Sequence, residues 1–400
     1  MIGDGWNDDP SVRPGPPIET APGIRRIAII TGTRAEFGLL KPVMFATLAR
    51  KDCELLVIAA GSHLISPAET YHDVKAIFAV ADAIPMQIAG KTGRNADVQA
   101  LGGGISRFGR SFERLAPDWV VVLGDRIEAF AAASAASIGG LAVAHIHGGD
   151  RAEGVADEAM RHAITKLAHL HFPATKESAD RLTKLGERPQ HIHITGSPAI
   201  DGLSEVTPID DAGFIEYGAP EAIILMHPVG RTDEQEEAVM SDLVTASLSS
   251  VRGRILILHP NFDPGRDGTL RAITSTTDKR VTARTHIPRP AFLSLLKRLA
   301  ASGGVLIGNS SAALIEAAAL KLPAIDIGPR QSGRERPTNV ITSAGEHPDQ
   351  VSRAITAAQK LDRASITHPY GDGHSGPRIA ALLAATNPND PKLLRKHCTY

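Results

Sequence analysis

The sequence predicts an α/β protein made of two Rossmann-like domains facing across a cleft. Short β-branched runs alternate with longer amphipathic stretches, the pattern of parallel strands joined by crossover helices. The alternation pauses in an Asp-, Gly- and Pro-rich stretch, 204–220, and then restarts. A chain of 400 residues also has the length for two domains.

Residues 1–23 carry Asp, Gly and Pro but no apolar core, and lack the basic start and hydrophobic run of a signal peptide. They read as a flexible tail. The N-terminal domain, 24–203, holds candidate strands at 27–31, 55–60, 119–123, 142–146, 170–174 and 192–195, with helices at 39–50, 98–115, 127–137, 157–168 and 176–185. The stretch 204–220 reads as the connection. The C-terminal nucleotide-binding domain, 217–372, holds strands at 223–226, 255–258, 281–285, 305–307 and 324–327, and helices at 234–248, 292–301 and 312–320. A last helix, 376–385, lies in the segment 373–400 and is expected to pack back on the first domain.

Composition excludes several classes. A formal net charge of -1 and 22% charged residues argue against a nucleic-acid partner. Two distant cysteines, Cys53 and Cys398, form neither a disulfide framework nor a thiolate metal site. No stretch is long and apolar enough to span a bilayer. The expectation is a soluble, cytoplasmic protein.

Ligands of such sheets sit beyond the carboxyl ends of the strands. Those ends carry Thr31-Gly32-Thr33-Arg34, Gly124-Asp125-Arg126, His145-Ile146-His147-Gly148-Gly149-Asp150, Thr195-Gly196-Ser197-Pro198, His227-Pro228, His259-Pro260-Asn261 and Gly308-Asn309-Ser310-Ser311. The last run precedes the helix 312–320, whose start would offer free N–H groups and a positive dipole end to a phosphate. Ser310 as an ordinary N-cap is the competing reading. Arg34 suits phosphate oxygens, and Glu316 suits ribose hydroxyls. Asp125 closes a fully apolar strand, where a carboxylate is costly unless paired, capping a helix or functional. His145 and His147 alternate on one strand and so face opposite sides, which argues against a shared metal. Asp157 with Arg161 and Glu158 with His162 are helical i,i+4 pairs. Two histidines at equivalent strand ends, His227 and His259, suggest ligand contacts.

Together these segments resemble the hydrolysing UDP-N-acetylglucosamine 2-epimerase family, in its sialic-acid-type branch. The resemblance rests on TGTRAEFGLLKP (31–42), LGDRIEAF (123–130), HIHGGDRAEGVADEAMRHAITKLAHLHFPAT (145–175), ITGSPAID (194–201), MHPV (226–229), HPNFDPG (259–265), GNSSAALIEA (308–317), IGPRQSGRERPTNV (327–340) and YGDG (370–373). It implies a GT-B fold and anti elimination of UDP through a 2-acetamidoglucal. Water addition then gives N-acetylmannosamine for a sialic-acid-like nonulosonic acid. It implies no metal or cofactor, a small nucleotide-sugar substrate, no membrane partner, and a homodimer or higher homo-oligomer.

Carried over by position, the catalytic set is Asp125, Asp157, Asp150 and His147. The nucleotide-binding set is Arg34, Arg126, His227, His259, Asn309, Ser310, Ser311, Glu316 and Arg330. Relatives carry Glu where this chain has Asp150, one methylene shorter. A UDP- or GDP-linked 2,4-diacetamido-2,4,6-trideoxy sugar is the alternative substrate. A GT-B glycosyltransferase or a non-enzymatic sugar-nucleotide-binding protein is the alternative outside the family's chemistry.

Overall fold

A computed structural model describes residues 23–66, 69–91, 93–151, 158–261, 263–397 and 399. The chain divides into two compact units: 1–146 with 163–171 and 380–398, and 147–162 with 172–379 and 399–400. Residues 172–203, read from sequence as part of the first half, group with the second unit. There the Gly196 turn packs on Tyr370, with Ser197 N–H donating to the Tyr370 carbonyl at 2.9 Å. The stretch 204–220 also lies in the second unit. It carries a short helix, Asp211–Glu216, and is pinned where Lys297 Nζ donates to Ser204 O at 2.9 Å.

Each unit is built on one six-stranded parallel sheet. The first comprises β1 (Arg25–Thr31), β2 (Cys53–Ala60), β3 (Val80–Ile84), β4 (Trp119–Leu123), β5 (Ala142–Ile146) and β6 (Leu170–Phe172), in the order β3-β2-β1-β4-β5-β6. The second comprises β7 (Pro220–Leu225), β8 (Arg254–Leu258), β9 (Val281–Arg284), β10 (Val305–Gly308), β11 (Ala324–Asp326) and β12 (Val340–Thr342), in the order β12-β11-β10-β7-β8-β9. Counted within its own half, each order is the Rossmann order 3-2-1-4-5-6.

The central strands are apolar throughout because helices cover both faces of such a sheet. Every residue of β4 and β5 is buried. The helix Ile127–Ile138 packs tightly through its small side chains, burying Ala129, Ala131, Ala132, Ala133, Ala135 and Ala136. Helix starts are marked by side-chain caps: Thr33 accepts from Glu36 N–H, and Thr232 with Gln235 forms a capping box.

Most sequence-predicted elements exist, with small boundary shifts. The strand expected at 192–195 does not: only Ile192 makes an isolated bridge, and the segment runs as irregular chain into the turn Pro198–Ile200. β3 and β12 are edge strands that periodicity missed; both are short and only half-buried, so their apolar signal is weak. No helix among the described residues is long and apolar enough to cross a membrane.

The shared topology gives each sheet one point of strand-order reversal. Strand order reverses between β1 and β4 in one sheet, and between β7 and β10 in the other. Ligands bind outside the carboxyl ends of strands at such points.

Candidate active-site residues

At the β7–β10 reversal the two strand ends are laced together by one side chain. β10 ends in Gly308, with φ 139°; a Cβ there would lie 2.1 Å from Leu225 O, so only glycine fits. The next residue, Asn309, is fully buried. Its Nδ2 donates to the His227 carbonyl at 2.7 Å, and its Oδ1 accepts from His227 N–H at 2.8 Å. One amide side chain thus supplies the donor and acceptor of an extra ladder rung. The Asn309 carbonyl accepts from Gln331 Nε2 at 2.8 Å and from Arg330 Nη1 at 3.4 Å.

His227 Nδ1 accepts the Asn261 N–H at 3.2 Å, which assigns the ring proton to Nε2. Burial and the positive charge of Arg330 push its pKa down to about 3. His227 therefore offers a neutral N–H donor. His259, at the end of β8, is half-buried, and burial with the Arg266 charge lowers its pKa.

The helix expected at 312–320 is broken. Ser310 does cap, its Oγ accepting from Ala312 N–H at 3.3 Å, but it opens only a single 3-10 turn, Ser311–Ala313. Ile315 (φ -102°, ψ -72°) precedes a separate helix of only four residues, Glu316–Ala319. Helix dipoles arise from aligned peptides summed over turns, so a single 3-10 turn at this loop carries less of one than the continuous helix the sequence predicts. Arg330, the hydroxyls and the His227 N–H are the other groups here whose chemistry suits an anion. Glu316 is buried, and Arg289 Nη1 donates to its Oε1 at 2.8 Å.

A second polar array lies in the same unit. β5 stops at Ile146, so His147 is not on the strand as expected; it takes φ 64° in the left-handed region. That turn withdraws its ring from the sheet and sets it between Asp150 and Ser197. Nδ1 donates to Asp150 Oδ2 at 2.7 Å, since a carboxylate offers acceptors only. Nε2 lies 3.0 Å from Ser197 Oγ, and Ser178 Oγ donates to Asp150 Oδ1 at 2.9 Å. All four residues are buried. Burial by itself raises the Asp150 pKa, but His147, Arg334 and the Ser178 hydroxyl outweigh it and hold the group below the usual carboxylate range. A hydroxyl both donates and accepts, so Ser197 serves Nε2 whether the imidazole is neutral or cationic. Only the Ser197 hydroxyl hydrogen changes place between the two.

His145, by contrast, is a buried structural histidine. Its Nε2 donates to Gly124 O at 2.8 Å, and Thr165 Oγ1 lies 3.3 Å from Nδ1. His162 Nε2 lies 3.4 Å from Glu158 Oε1, the expected i,i+4 pair. Asp157 lies outside the described residues. Among those described, no group of three or more His, Cys, Asp or Glu could hold a metal ion.

The β1–β4 reversal in the first unit carries Arg34, Asp125 and Arg126. Arg34 is exposed at the start of the helix Arg34–Leu48. Asp125 is half-buried and does not cap the next helix; Arg126 holds the N-cap position, without a side-chain cap bond. Beneath this loop lies a buried carboxylate pair that sequence reasoning missed. Glu36 Oε2 accepts the Gly32 N–H at 2.9 Å, and a Cβ on Gly32 would meet Glu128 at 2.7 Å. Gln87 Nε2 donates to Glu128 Oε1 at 2.7 Å. Burial and the Glu128 charge push the Glu36 pKa up to about 8, against the opposing Gly32 N–H and Arg126.

The raised value has a stability consequence. Between 4.5 and about 8 the folded state holds a proton that the unfolded chain has lost, so stability declines as pH rises through that window. At about 1.4 kcal/mol per pKa unit, the decline reaches about 5 kcal/mol at most. Glu36→Gln removes this slope. Denaturant titrations at pH 5 and pH 8 are expected to show the variant gaining on the parent by several kcal/mol; parallel pH dependences would refute the assignment.

Ser178, Gln331, Arg289, Glu36 and Glu128 were not in the sequence-derived set, and Ser197 stood there only within the strand-end run Thr195-Gly196-Ser197-Pro198. Ser197, Gln331, Glu36 and Glu128 stand inside the motifs ITGSPAID, GPRQSGR, TGTRAEFG and LGDRIEAF, which is the one signal that could have raised them.

Comparison with known proteins agrees with this architecture. The family profile described as UDP-N-acetylglucosamine 2-epimerase matches residues 46–384. UDP-N,N'-diacetylbacillosamine 2-epimerase (hydrolyzing) of Legionella pneumophila is 33% identical over 94% of this chain and 100% of its own length. UDP-N-acetylglucosamine 2-epimerase of Neisseria meningitidis is 33% identical over 88% of this chain and 92% of its own. Among solved structures, UDP-GlcNAc 2-epimerase from Neisseria meningitidis bound to UDP-GlcNAc aligns with TM-score 0.75 at 19% identity, over 90% of this chain and 100% of that one. The match supports a GT-B-type pair of Rossmann-like domains. With the profile spanning most of the chain and a relative matched over its whole length, the protein belongs to the hydrolysing UDP-N-acetylglucosamine 2-epimerase family of nucleotide-sugar enzymes.

Proposed function

We propose that the protein releases UDP from a UDP-linked 2-acetamido sugar and returns the free sugar with C2 inverted. With UDP-N-acetylglucosamine the product is N-acetylmannosamine, the precursor type of a sialic-acid-like nonulosonic acid. The observation that carries this reading is the Asn309–His227 bridge at the β7–β10 reversal, with Arg330 and Gln331 bound to the Asn309 carbonyl.

The chemistry explains the residue types. The C2 hydrogen of a sugar is not acidic, so a base alone cannot remove it. The C1–O bond to the diphosphate must weaken first, giving oxocarbenium character at C1. Donors aimed at the departing diphosphate lower that barrier, and Arg330, Ser310, Ser311 and the neutral His227 N–H are suited to it. We assign Glu316 to the ribose, and Arg34 and Arg126 to the phosphates, with His259 as a further nucleotide contact. Loss of the C2 proton completes the anti elimination to the 2-acetamidoglucal. Water then adds across the double bond, its oxygen to C1 and a proton to the face of C2 opposite the one that lost its proton. Asp125, Asp157, Asp150 and His147 are the proposed proton carriers and cation stabilisers.

A 2,4-diacetamido-2,4,6-trideoxy sugar is the second reading, favoured by the full-length similarity to the Legionella pneumophila enzyme. Product NMR in deuterated water, over a panel of UDP- and GDP-linked 2-acetamido sugars, decides between them. The expected result is UDP release with deuterium at C2 of an inverted sugar. Folded protein that yields no such product from any of the panel would overturn the proposal, as would transfer to an acceptor with C2 hydrogen retained.

A further inference from the structure

Arg289 opens the helix Arg289–Ala301, where a cation opposes the positive end of the helix dipole. A guanidinium in that place calls for a compensating role, and its contacts supply one. Nη1 donates to Glu316 Oε1 at 2.8 Å, and Nη2 donates to Ala199 O at 2.8 Å. Ala199 lies in the turn Pro198–Ile200, and its N–H donates to Ser197 Oγ at 3.2 Å. Ser197 Oγ is 3.0 Å from His147 Nε2, and His147 Nδ1 donates to Asp150 at 2.7 Å. One fork of donors therefore touches two polar groupings of the second unit: the carboxylate proposed for the ribose, and the turn that seats His147. Glu316 is buried, and a buried carboxylate without a partner is costly.

We propose that Arg289 is a positioning residue that couples the Glu316 nucleotide subsite to the Ser197–His147–Asp150 array. It rests on the functional reading above. Arg289 partners and orients the Glu316 carboxylate, and it fixes the Ala199 carbonyl so that Ser197 stays under His147. The guanidinium's planar fork serves two acceptors at once, while an ammonium is a single point charge. Arg289→Lys should therefore keep one contact and lose the other.

The test compares the parent, Arg289→Ala and Arg289→Lys by UDP calorimetry, steady-state kinetics and circular dichroism. Arg289→Ala is expected to raise the UDP Kd about tenfold or more, the factor for roughly 1.4 kcal/mol, and to lower kcat by a similar factor while remaining folded. Arg289→Lys should recover UDP binding to within a few-fold but leave kcat low. Millimolar guanidinium should restore part of the Arg289→Ala turnover. A role in folding alone would give neither the split nor the rescue. Folded Arg289→Ala with UDP Kd and kcat within twofold of the parent overturns the Arg289 assignment alone. Equal recovery of both parameters in Arg289→Lys overturns the coupling. A parent that binds no UDP and turns over no nucleotide sugar overturns the functional reading, and this assignment with it.

Discussion

Asp150→Asn is expected to lower kcat by about 10²–10⁴, the range for removing a positioned acid–base group, while UDP binding changes little. Two donors converge on this carboxylate, His147 Nδ1–H and the Ser178 hydroxyl. Asparagine has one acceptor oxygen and presents an NH₂ in place of the other. Either Ser178 or His147 must face that NH₂. If it is His147, the ring proton moves to Nε2, and Ser197 must then accept from it. The countercharge for an imidazolium disappears in both arrangements. The array can no longer exchange a proton without rearranging. Single-turnover kinetics and UDP calorimetry on the same preparation check this. A kcat within threefold of the parent would remove Asp150 from the catalytic set; a parallel loss of UDP affinity would make it a folding residue.

Asn309 variants are expected to have the largest effect on nucleotide affinity. Asn309→Ala strands the His227 N–H and carbonyl, two backbone groups partnered by a buried amide. Each orphaned group costs about 1–3 kcal/mol. Part of this appears as lost stability and part as misplacement of the neutral His227 donor, so UDP affinity should fall roughly 10- to 100-fold. Asn309→Asp should be worse for folding, because an acceptor replaces Nδ2 at 2.7 Å from the His227 carbonyl. Thermal melts and UDP titrations of both variants test the point. An Asn309→Asp protein as stable as the parent would refute the bridge.

The Asn309 bridge also marks how far the sequence can be read. The run Gly308-Asn309-Ser310-Ser311 was legible as a strand end, because a short apolar run stopped by glycine is a local signal. Its partner was not. His227 lies 82 residues away, and the two meet because β10 inserts beside β7 in the 3-2-1-4-5-6 order. The small-residue stretch after it read as one helix; alanine propensity favours that, but the chain breaks at Ile315. His147 likewise fits a strand by alternation, yet it leaves the strand in a left-handed turn that leads to Asp150. Glu36 had the same local appearance as any first-turn glutamate. Its burial beside Glu128 follows from β1 and β4 being neighbours.

By itself the sequence determined the class of fold, the place of most strands and helices, the polar residues at the strand ends and the family. These come from period, composition and short motifs, which are properties of neighbouring residues. The tertiary structure alone decided which of those residues are partners: Asn309 with His227, His147 with Asp150 and Ser197, Arg289 with Glu316 and Ala199. Partnership depends on strand order and on single backbone turns. Hydrogen bonds, burial and shifted pKa values depend on partners in turn, so the local environment of these side chains is a property of the folded chain.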